Sequence, residues 1–566
     1  MTNRILIATI FLLIALSTTF AETITVGTTY SDFWDYGCSG RHIARDTLGG
    51  LHMTWVKSLD SGANQAIQYD GRYPLQFPWE PLAYSWLCSN GSQVFWGYGS
   101  GYPTIQTLSN GSAVITGSHP STTWGYVSTT GIDDGYITGA FIERYVTTIA
   151  NPPLDSVIYP NAAVDHRDYL HVFSVEQISD SWYKRIYYSR SGVAATAPTF
   201  QMTTFQIAET TMTNTCLVVA SRNTNRVIMA WPKPFDTNSP AEIDYNNNLC
   251  FVQTTNSNFT WNFSNPTNVT HFTESDSFRF DNDATAIFDN QNHLHIVYVI
   301  RGGFPVVSDS IPGTNASCLL MHWCETDPTV TDIVADGWWL PSDTHPALPY
   351  QSTIARPALS IATNGDLYCV FCRYARFDTS ANGWGCGDIW ATVSSDNGNN
   401  WYYPTNLTNT PANAGTAGNV HSEIFPSVQE VTNNDSLYIS YLDDRAGGTA
   451  ELATNSPEWT LNQVNVKIVR TNVVHRDSLL PTTSDWWYTS AYPPTPDGLT
   501  ITHSNGNAYI SWNPVENAVG YKIYRSDAGY FQPSSGNFVT TCPANVTSYI
   551  DGYANGHKYY RVVAYK

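Results

Sequence analysis

The sequence predicts an all-β chain, a seven-bladed β-propeller followed by a small β-sandwich. Three observations carry this: an apolar strand–turn–strand pattern that recurs seven times, a composition rich in aromatic residues and poor in charge, and a run of alternating residues after a Pro/Thr-rich break near the C-terminus. The recurring unit is an alternating apolar strand, a Gly/Asn/Asp turn, and a second apolar strand that commonly opens with Leu-His or Leu-Tyr.

The copies begin at Arg41, Pro103, Pro160, Asn214, Asp281, Arg356 and Phe425, as in PNAAVDHRDYLHVF and RPALSIATNGDLYCVF. Their spacing of 54 to 75 residues leaves room for two further strands per copy, such as DIWATVS from Asp388 and NVKIVRT from Asn465. Four strands make one propeller blade. A single such sheet cannot bury both faces, so successive sheets stack until the ring closes, and closure pairs the strand near Ile24 to Thr28 with the last copy.

The ends and the composition narrow the class. Residues 1–21 read as a secretory signal peptide, with an apolar run from Ile5 to about Leu16 and small side chains before the cleavage point. No later stretch offers the roughly 20 apolar residues a spanning helix needs, so the chain is expected to be secreted or on the cell surface without a membrane span. Lys plus Arg total 27 against 47 Asp plus Glu, and the net charge of -20 argues against nucleic-acid binding. Aromatic residues at 14% and charged residues at 13% suit twisted sheets. The ten cysteines sit in a chain expected outside the cell, where disulfides persist, and Cys372 and Cys386 are placed to face each other across a hairpin. Cys369 and Cys372 imitate a metal motif, but they lie in one apparent strand where residues three apart point to opposite faces, so no metal is expected there. Nine Asn-x-Ser/Thr sites, from Asn90 to Asn545, are acceptors only in a glycosylating host.

Two family resemblances follow from local motifs. SSDNGNNW, with Ser394, Asp396, Gly398 and Trp401, matches S-x-D-x-G-x-x-W and resembles the Asp box of the sialidase-like, or BNR-repeat, propellers; Thr254, Asn256 and Trp261 look like a decayed second copy. The resemblance implies a structural role, the carboxylate binding its own turn and the Trp packing between sheets. From Asp497 onward, LTITHSNGNAYISWNPVENAVGYKIYRS, SYIDG and KYYRVVAYK resemble a fibronectin type III domain, with Trp512 as its core Trp and Tyr559 to Tyr565 as its penultimate strand. The expected organisation is thus signal peptide 1–21, propeller 22–475, linker 476–496 and fibronectin-like module 497–566.

In a propeller, first strands start and second strands end at one central mouth. This convention places Arg41, Arg279 and Arg356 at first-strand starts and Lys57, Lys233, Arg301, Arg373 and Arg445 after second strands, so eight cations are expected to ring one opening. Carboxylates of Glu176, Asp281, Asp443 and Asp444 alternate with them. Arginine forks bind carboxylates bidentately, which suits an acidic sugar or another anionic polymer. The expected partner is therefore an extracellular glycan or cell-surface polymer, and the leading reading is a binding protein.

The alternative is a carbohydrate-active enzyme. A sialidase needs three arginines, which Arg356, Arg373 and Arg445 imitate, but the Phe/Tyr-Arg-Ile-Pro signature is missing and the family has six blades. A polysaccharide lyase needs a base beside the C5 proton and a cation for the uronate, for which His42, His119 and His421 are bases by position. A glycosidase needs two spaced carboxylates, with Glu423 and Asp443 among the candidates. If activity exists, replacing Arg356 or Arg445 with Ala is expected to remove it without lowering the thermal melt. The Leu-His residues His52, His171 and His295 recur at one strand position and read as blade packing. No cofactor is expected, although Asp281, Asn282 and Asp283, or Asp443 with Asp444, offer oxygen ligands for calcium.

Overall fold

A computed structural model of the chain describes residues 22 to 565 apart from 36–39, 61–63, 75–89, 122–124, 147–155, 178–183, 198–200, 236–245, 303–317, 338–347, 349–351, 450–457, 481–495, 528–536, 553–557 and the positions 212, 257–258, 274–275, 277, 434, 497, 516–517 and 519. The expected signal peptide, most of the linker, Cys38 and Cys88 lie outside the described residues.

The chain is an all-β propeller. Its described strands form four four-stranded sheets, one of eight strands, one of five and two of three. The eight-stranded sheet joins two antiparallel sets of four through the parallel pairing of Val157 with Val127, and the five-stranded one adds Val431–Thr432 as a parallel edge, so the strands group by chain order into seven units named by their hairpins. The inner pairs are the seven hairpins read from sequence. They start with Ile43–Arg45 and Leu51–Ser58, then Gly101–Thr107 and Ala113–Ser121, and Ser156–Val164 and Leu170–Gln177. Next come Leu217–Ala220 and Val227–Pro234, Phe278–Phe288 and Leu294–Gly302, Ile354–Ala362 and Leu367–Thr379, and Ser422–Val428 and Ser436–Asp444. The third strands include Gly385–Ser394 and Asn462–Arg470. The first described strand, Glu22–Thr29, pairs antiparallel with Asn462–Arg470 and supplies the outer strand of the seventh unit, with Ile24 opposite Val466. That closes the ring.

The core lies between successive sheets, because each sheet is apolar on both faces. One cluster joins Leu249 of the fourth unit, Val297 of the fifth and Leu359 of the sixth. Phe173 of the third meets Trp231 of the fourth edge-on at 6.4 Å.

The Leu-His repeat is a packing device, and its chemistry is specific. Asp46, Asp165 and Asp289 each open the turn before it, Oδ1 accepting the backbone N–H groups two and four residues on at 2.7–3.0 Å. Their Oδ2 atoms face Nε2 of His52, His171 and His295 at 2.9, 3.6 and 3.5 Å. Each Nδ1 meets a third-strand group: the hydroxyls of Tyr69 and Tyr188 at 2.9 and 2.7 Å, and Nε2 of His322 at 3.0 Å. An aromatic ring of the following unit then covers that group, Phe141 on Tyr69, Trp261 on Tyr188 and Trp401 on His322, at 5.0, 5.1 and 5.5 Å.

Trp401 belongs to the turn of Ser394. The Ser394 hydroxyl bonds Asp396 Oδ1 at 2.8 Å and accepts Gly398 N–H at 2.9 Å, while Asp396 accepts Asn400 N–H at 2.9 Å. Gly398 has φ +87°, and a Cβ there would stand 2.1 Å from the His322 ring. In this chain, then, the turn anchors a buried Trp between units.

The eight described cysteines are buried thiols. Cys372 and Cys386 do not pair: Cys372 stands opposite Ile389 and points its Sγ at Glu423 O, 3.4 Å away, while Cys386 lies in the irregular stretch between the Tyr374 and Thr379 pairings. The C-terminal sheets pair Thr500–Ser504, Asn507–Ser511 and Ser548–Asp551, and Phe538–Pro543, Gly520–Ser526 and Tyr559–Tyr565. Trp512 is buried between them, edge-on to Tyr521 at 5.2 Å. Among the described residues no helix is long and apolar enough to cross a membrane.

Candidate functional site

The end of the channel where inner strands start is shaped by a repeated irregularity. Tyr102, Tyr159, Arg356 and Phe425 each precede a proline and each hold a left-handed backbone, φ 53° to 56°. At the same place the register of the inner pair slips, as between Gly101 and Thr104 or between Ala355 and Ala358. A left-handed, non-glycine residue costs about 1–3 kcal/mol, and the bulge re-aims its side chain. Neighbouring rings then meet, Tyr102 on Tyr159 at 4.8 Å, and the Arg356 guanidinium lies 5.6 Å from the Phe425 ring centre.

The segment after the closing strand enters this neck. Trp34 is buried and stacks on Phe425 at 5.6 Å. Asp35 binds Arg356 through Oδ1 at 2.6 Å to Nε and through its carbonyl at 2.9 Å to Nη2; Asp283 binds the same side chain at 2.5 Å and accepts its backbone N–H at 2.9 Å. His42 lies behind, 3.8 Å from Asp35, where burial and the Arg356 charge push its imidazole down to about 4.

The second cluster joins the sixth and seventh units. Glu423 stands opposite Asp443 across the first pair of strands of the seventh unit. Thr410 Oγ1 lies 2.6 and 2.7 Å from the Glu423 oxygens, and its N–H donates to Asp388 at 3.0 Å. Burial, then the neighbouring Asp388 charge, raise the Glu423 carboxyl well above its ordinary range, and burial also raises Asp443 despite His421 and Arg445. His421, just before the inner strand and 39% exposed, turns Nδ1 to the two Asp443 oxygens at 3.0 and 3.1 Å. Its Nε2 has no hydrogen-bond partner among the described residues. Arg445 Nη1 lies 3.3 Å from both Asp443 and His421, and Nη2 donates to Gly418 O at 3.1 Å.

Of the eight cations expected to ring one opening, several are paired with acids. Arg356 is neutralised as above and Arg301 by Asp281 at 2.7 Å, with burial raising the Asp281 carboxyl to about 6. Lys233 turns to Glu209 of the third unit's outer strand at 2.9 Å. Arg279 is buried against Asn246 and the carbonyls of Asp276 and Phe278. Arg41 points the other way, bonding Leu359 O and Val428 O at 2.8 and 2.7 Å near the far ends of two inner strands. There Arg222 of the fourth unit makes a two-pronged bond, 2.9 Å each, to Glu430 of the seventh. Among the eight, Lys57 and Arg373 have no ion pair among the described residues; Arg373 lies over the Trp390 ring at 5.0 Å. Position along a strand sets the height of a charge, not the acid it meets.

The same pairing disposes of most calcium ligands. Asp281 and Asp283 are committed to arginines, the Asn282 side chain lies outside the described residues, and Asp444 is buried beside Asp32 with its carboxyl raised well above the usual range. Glu176 is buried against Arg185. His421, Glu423 and Asp443 bring one ligand atom each within 4.8 Å of one another, a spacing that suits a divalent cation. Arg445 Nη1 also stands at that point, 3.3 Å from Asp443 Oδ2. His119 is buried beside Glu143 at 3.8 Å. Of the three candidate bases, only His421 is both backed by a carboxylate and open to solvent.

Sequence reading missed Tyr102, Tyr159 and the ring of Phe425, although X-Pro at one repeat position marks them. It also missed Asp32, Trp34 and Asp35, which lie outside the repeat and carry no pattern.

No protein-family model and no curated protein matches the chain. Among solved structures it is similar to an ulvan lyase of polysaccharide lyase family PL25, at 9% identity and TM-score 0.45 over 74% of this chain and 93% of that one. It is also similar to the GH93 α-L-arabinofuranosidase of Fusarium graminearum, at 13% identity and TM-score 0.37 over 80% and 99%, and to an α-L-arabinanase of Penicillium chrysogenum, at 12% and 0.36 over 80% and 99%.

Proposed function

We propose that the protein is an extracellular carbohydrate-active propeller that cleaves an acidic polysaccharide by proton abstraction at the opening between its sixth and seventh units. The observation that carries this reading is the Asp443–His421–Arg445 arrangement. A carboxylate on Nδ1 orients the imidazole, leaving Nε2 as the atom that takes a proton. Arg445 beside it is the cation that meets a uronate carboxylate as negative charge builds on it. The C5–H bond breaks, the C4–C5 double bond forms, and the C4–O bond leaves with its electron pair, to be protonated from the site or from water. Glu423, whose burial favours the neutral form, is the nearby acid.

The test incubates the purified protein with a panel of uronate-bearing polysaccharides and follows the ultraviolet absorbance of unsaturated uronate. His421→Ala should lower that rate by about 10²- to 10⁴-fold while polysaccharide retention is kept. New reducing ends without unsaturated product would replace elimination by hydrolysis, with Glu423 and Asp443 as its carboxylates. Retention with neither product returns the protein to a binding role at the same central face.

A further inference from the structure

The opening end carries a second feature. Between the outer strand Ser92–Gln93 of the first unit and the inner strand Gly101–Thr107 of the second, the chain crosses from rim to centre, and it leaves Trp96 87% and Tyr98 51% exposed. The segment is nevertheless fixed. Phe95 is buried, Gln93 Nε2 donates to Phe95 O at 2.7 Å, Trp96 N–H reaches Glu143 at 3.3 Å, and Gly99 N–H donates to Gln65 O at 2.7 Å. Gly97 and Gly101 have open space where a Cβ would stand, so no side chain of theirs shields the rings. Tyr126, 43% exposed, sets its hydroxyl 3.2 Å from the Cβ position of Gly99, and at the inner end Tyr102 meets Tyr159 in the neck.

A tryptophan held almost wholly in water on a hydrogen-bonded segment costs solvation and gains nothing for the fold. We infer that Trp96, Tyr98 and Tyr126 form a polysaccharide track, each ring stacking on the C–H face of a pyranose, and that the bound chain runs inward past Tyr102 to the neck. Aromatic rings bring a rigid flat face at little entropic cost, and a sugar's axial C–H groups bring the matching apolar patch. The track recognises ring faces and leaves the acidic groups to Arg445. It rests on the glycan reading above but not on the elimination chemistry.

Affinity electrophoresis through gels containing neutral or uronate-bearing polysaccharides tests it, on the full chain. Wild type should be retarded by at least one polysaccharide, Trp96→Ala should bind it about tenfold more weakly, or about 1.4 kcal/mol, and Trp96→Phe should recover part of the loss. His421→Ala should be retarded like wild type, and Trp96→Ala should melt with wild type, as an exposed side chain allows. Equal retardation of Trp96→Ala and wild type, or no retardation of wild type by any polysaccharide, overturns the track. If Trp96→Ala weakens retention but no unsaturated product ever forms, the track stands and the lyase reading falls. If product forms through His421 while Trp96→Ala keeps its KM on polymer, the reverse holds.

Discussion

Arg356 is the side chain whose loss most directly tests the description of the neck. Replacing it with methionine keeps most of the volume and removes the guanidinium that faces Asp35 and Asp283, whose side chains are 7% and 8% exposed. Breaking a buried pair from one side costs about 3–5 kcal/mol, because the remaining charges keep their desolvation without a partner. The backbone N–H of residue 356 still reaches Asp283 and holds part of that charge, so the lower half of the range, about 3–4 kcal/mol, is expected. Urea unfolding followed by tryptophan fluorescence measures it, and Arg356→Met with Asp283→Asn should recover about 1–2 kcal/mol by removing one uncompensated carboxylate. Arg445→Met is the comparison: its side chain is 21% exposed, and Asp443, although only 6% exposed, keeps His421 as a partner, so the loss should be smaller than for Arg356→Met. If Arg356→Met unfolds within about 1 kcal/mol of wild type, the guanidinium is not the neck's countercharge, and the view of it as an open ligand site regains its force.

Gly398→Ala should cost about 1–3 kcal/mol in urea unfolding, since it combines a left-handed backbone with a Cβ pressed into His322. The Asp289–His295 pair should write a window into the pH dependence of stability. Burial alone would raise Asp289, but the His295 hydrogen bond together with the backbone and side-chain bonds of His293 outweighs it and brings it to about 2; burial alone would lower His295, but Asp289 and Cys324 together outweigh it and bring it to about 9. The pair's contribution, about 2 kcal/mol after solvent screening, is therefore lost as pH falls through about 2 and again as it rises through about 9. Unfolding of Asp289→Asn across pH should differ from wild type between these limits and converge outside them; a constant gap at every pH would assign the loss to the turn's backbone bonds instead.

The hairpins were legible because each is apolar on both faces and broken by a turn, a pattern that survives in a single sequence. Outer strands were not: Ser92–Gln93, Thr267–Asn268 and Thr405–Asn406 are two residues long and carry no alternation. At the site, strand position gave the height of Arg301, Arg356 and Arg445 along the channel. It could not give their partners, because Asp35 arrives from an unrepeated segment 321 positions away and Asp281 from the facing strand. The Leu-His residues were readable as packing by repetition alone, and the structure adds what they pack against. His421 was visible only as one of three histidines; the carboxylate behind it comes from the second strand, opposite Glu423 rather than opposite His421 itself.

The strand Glu22–Thr29 does more than complete a sheet. Because it pairs with Asn462–Arg470 and is followed at once by the residues that reach Arg356 and Phe425, the neck holds groups from both extremes of the propeller. An intermediate with six finished units would already own Arg356 and Asp283 and yet have no formed opening. Long-range pairing of this kind is slow to find, so the burial of Trp34 against Phe425 during refolding should behave as a clock for the final event, rising in one late phase after the sheets themselves have formed.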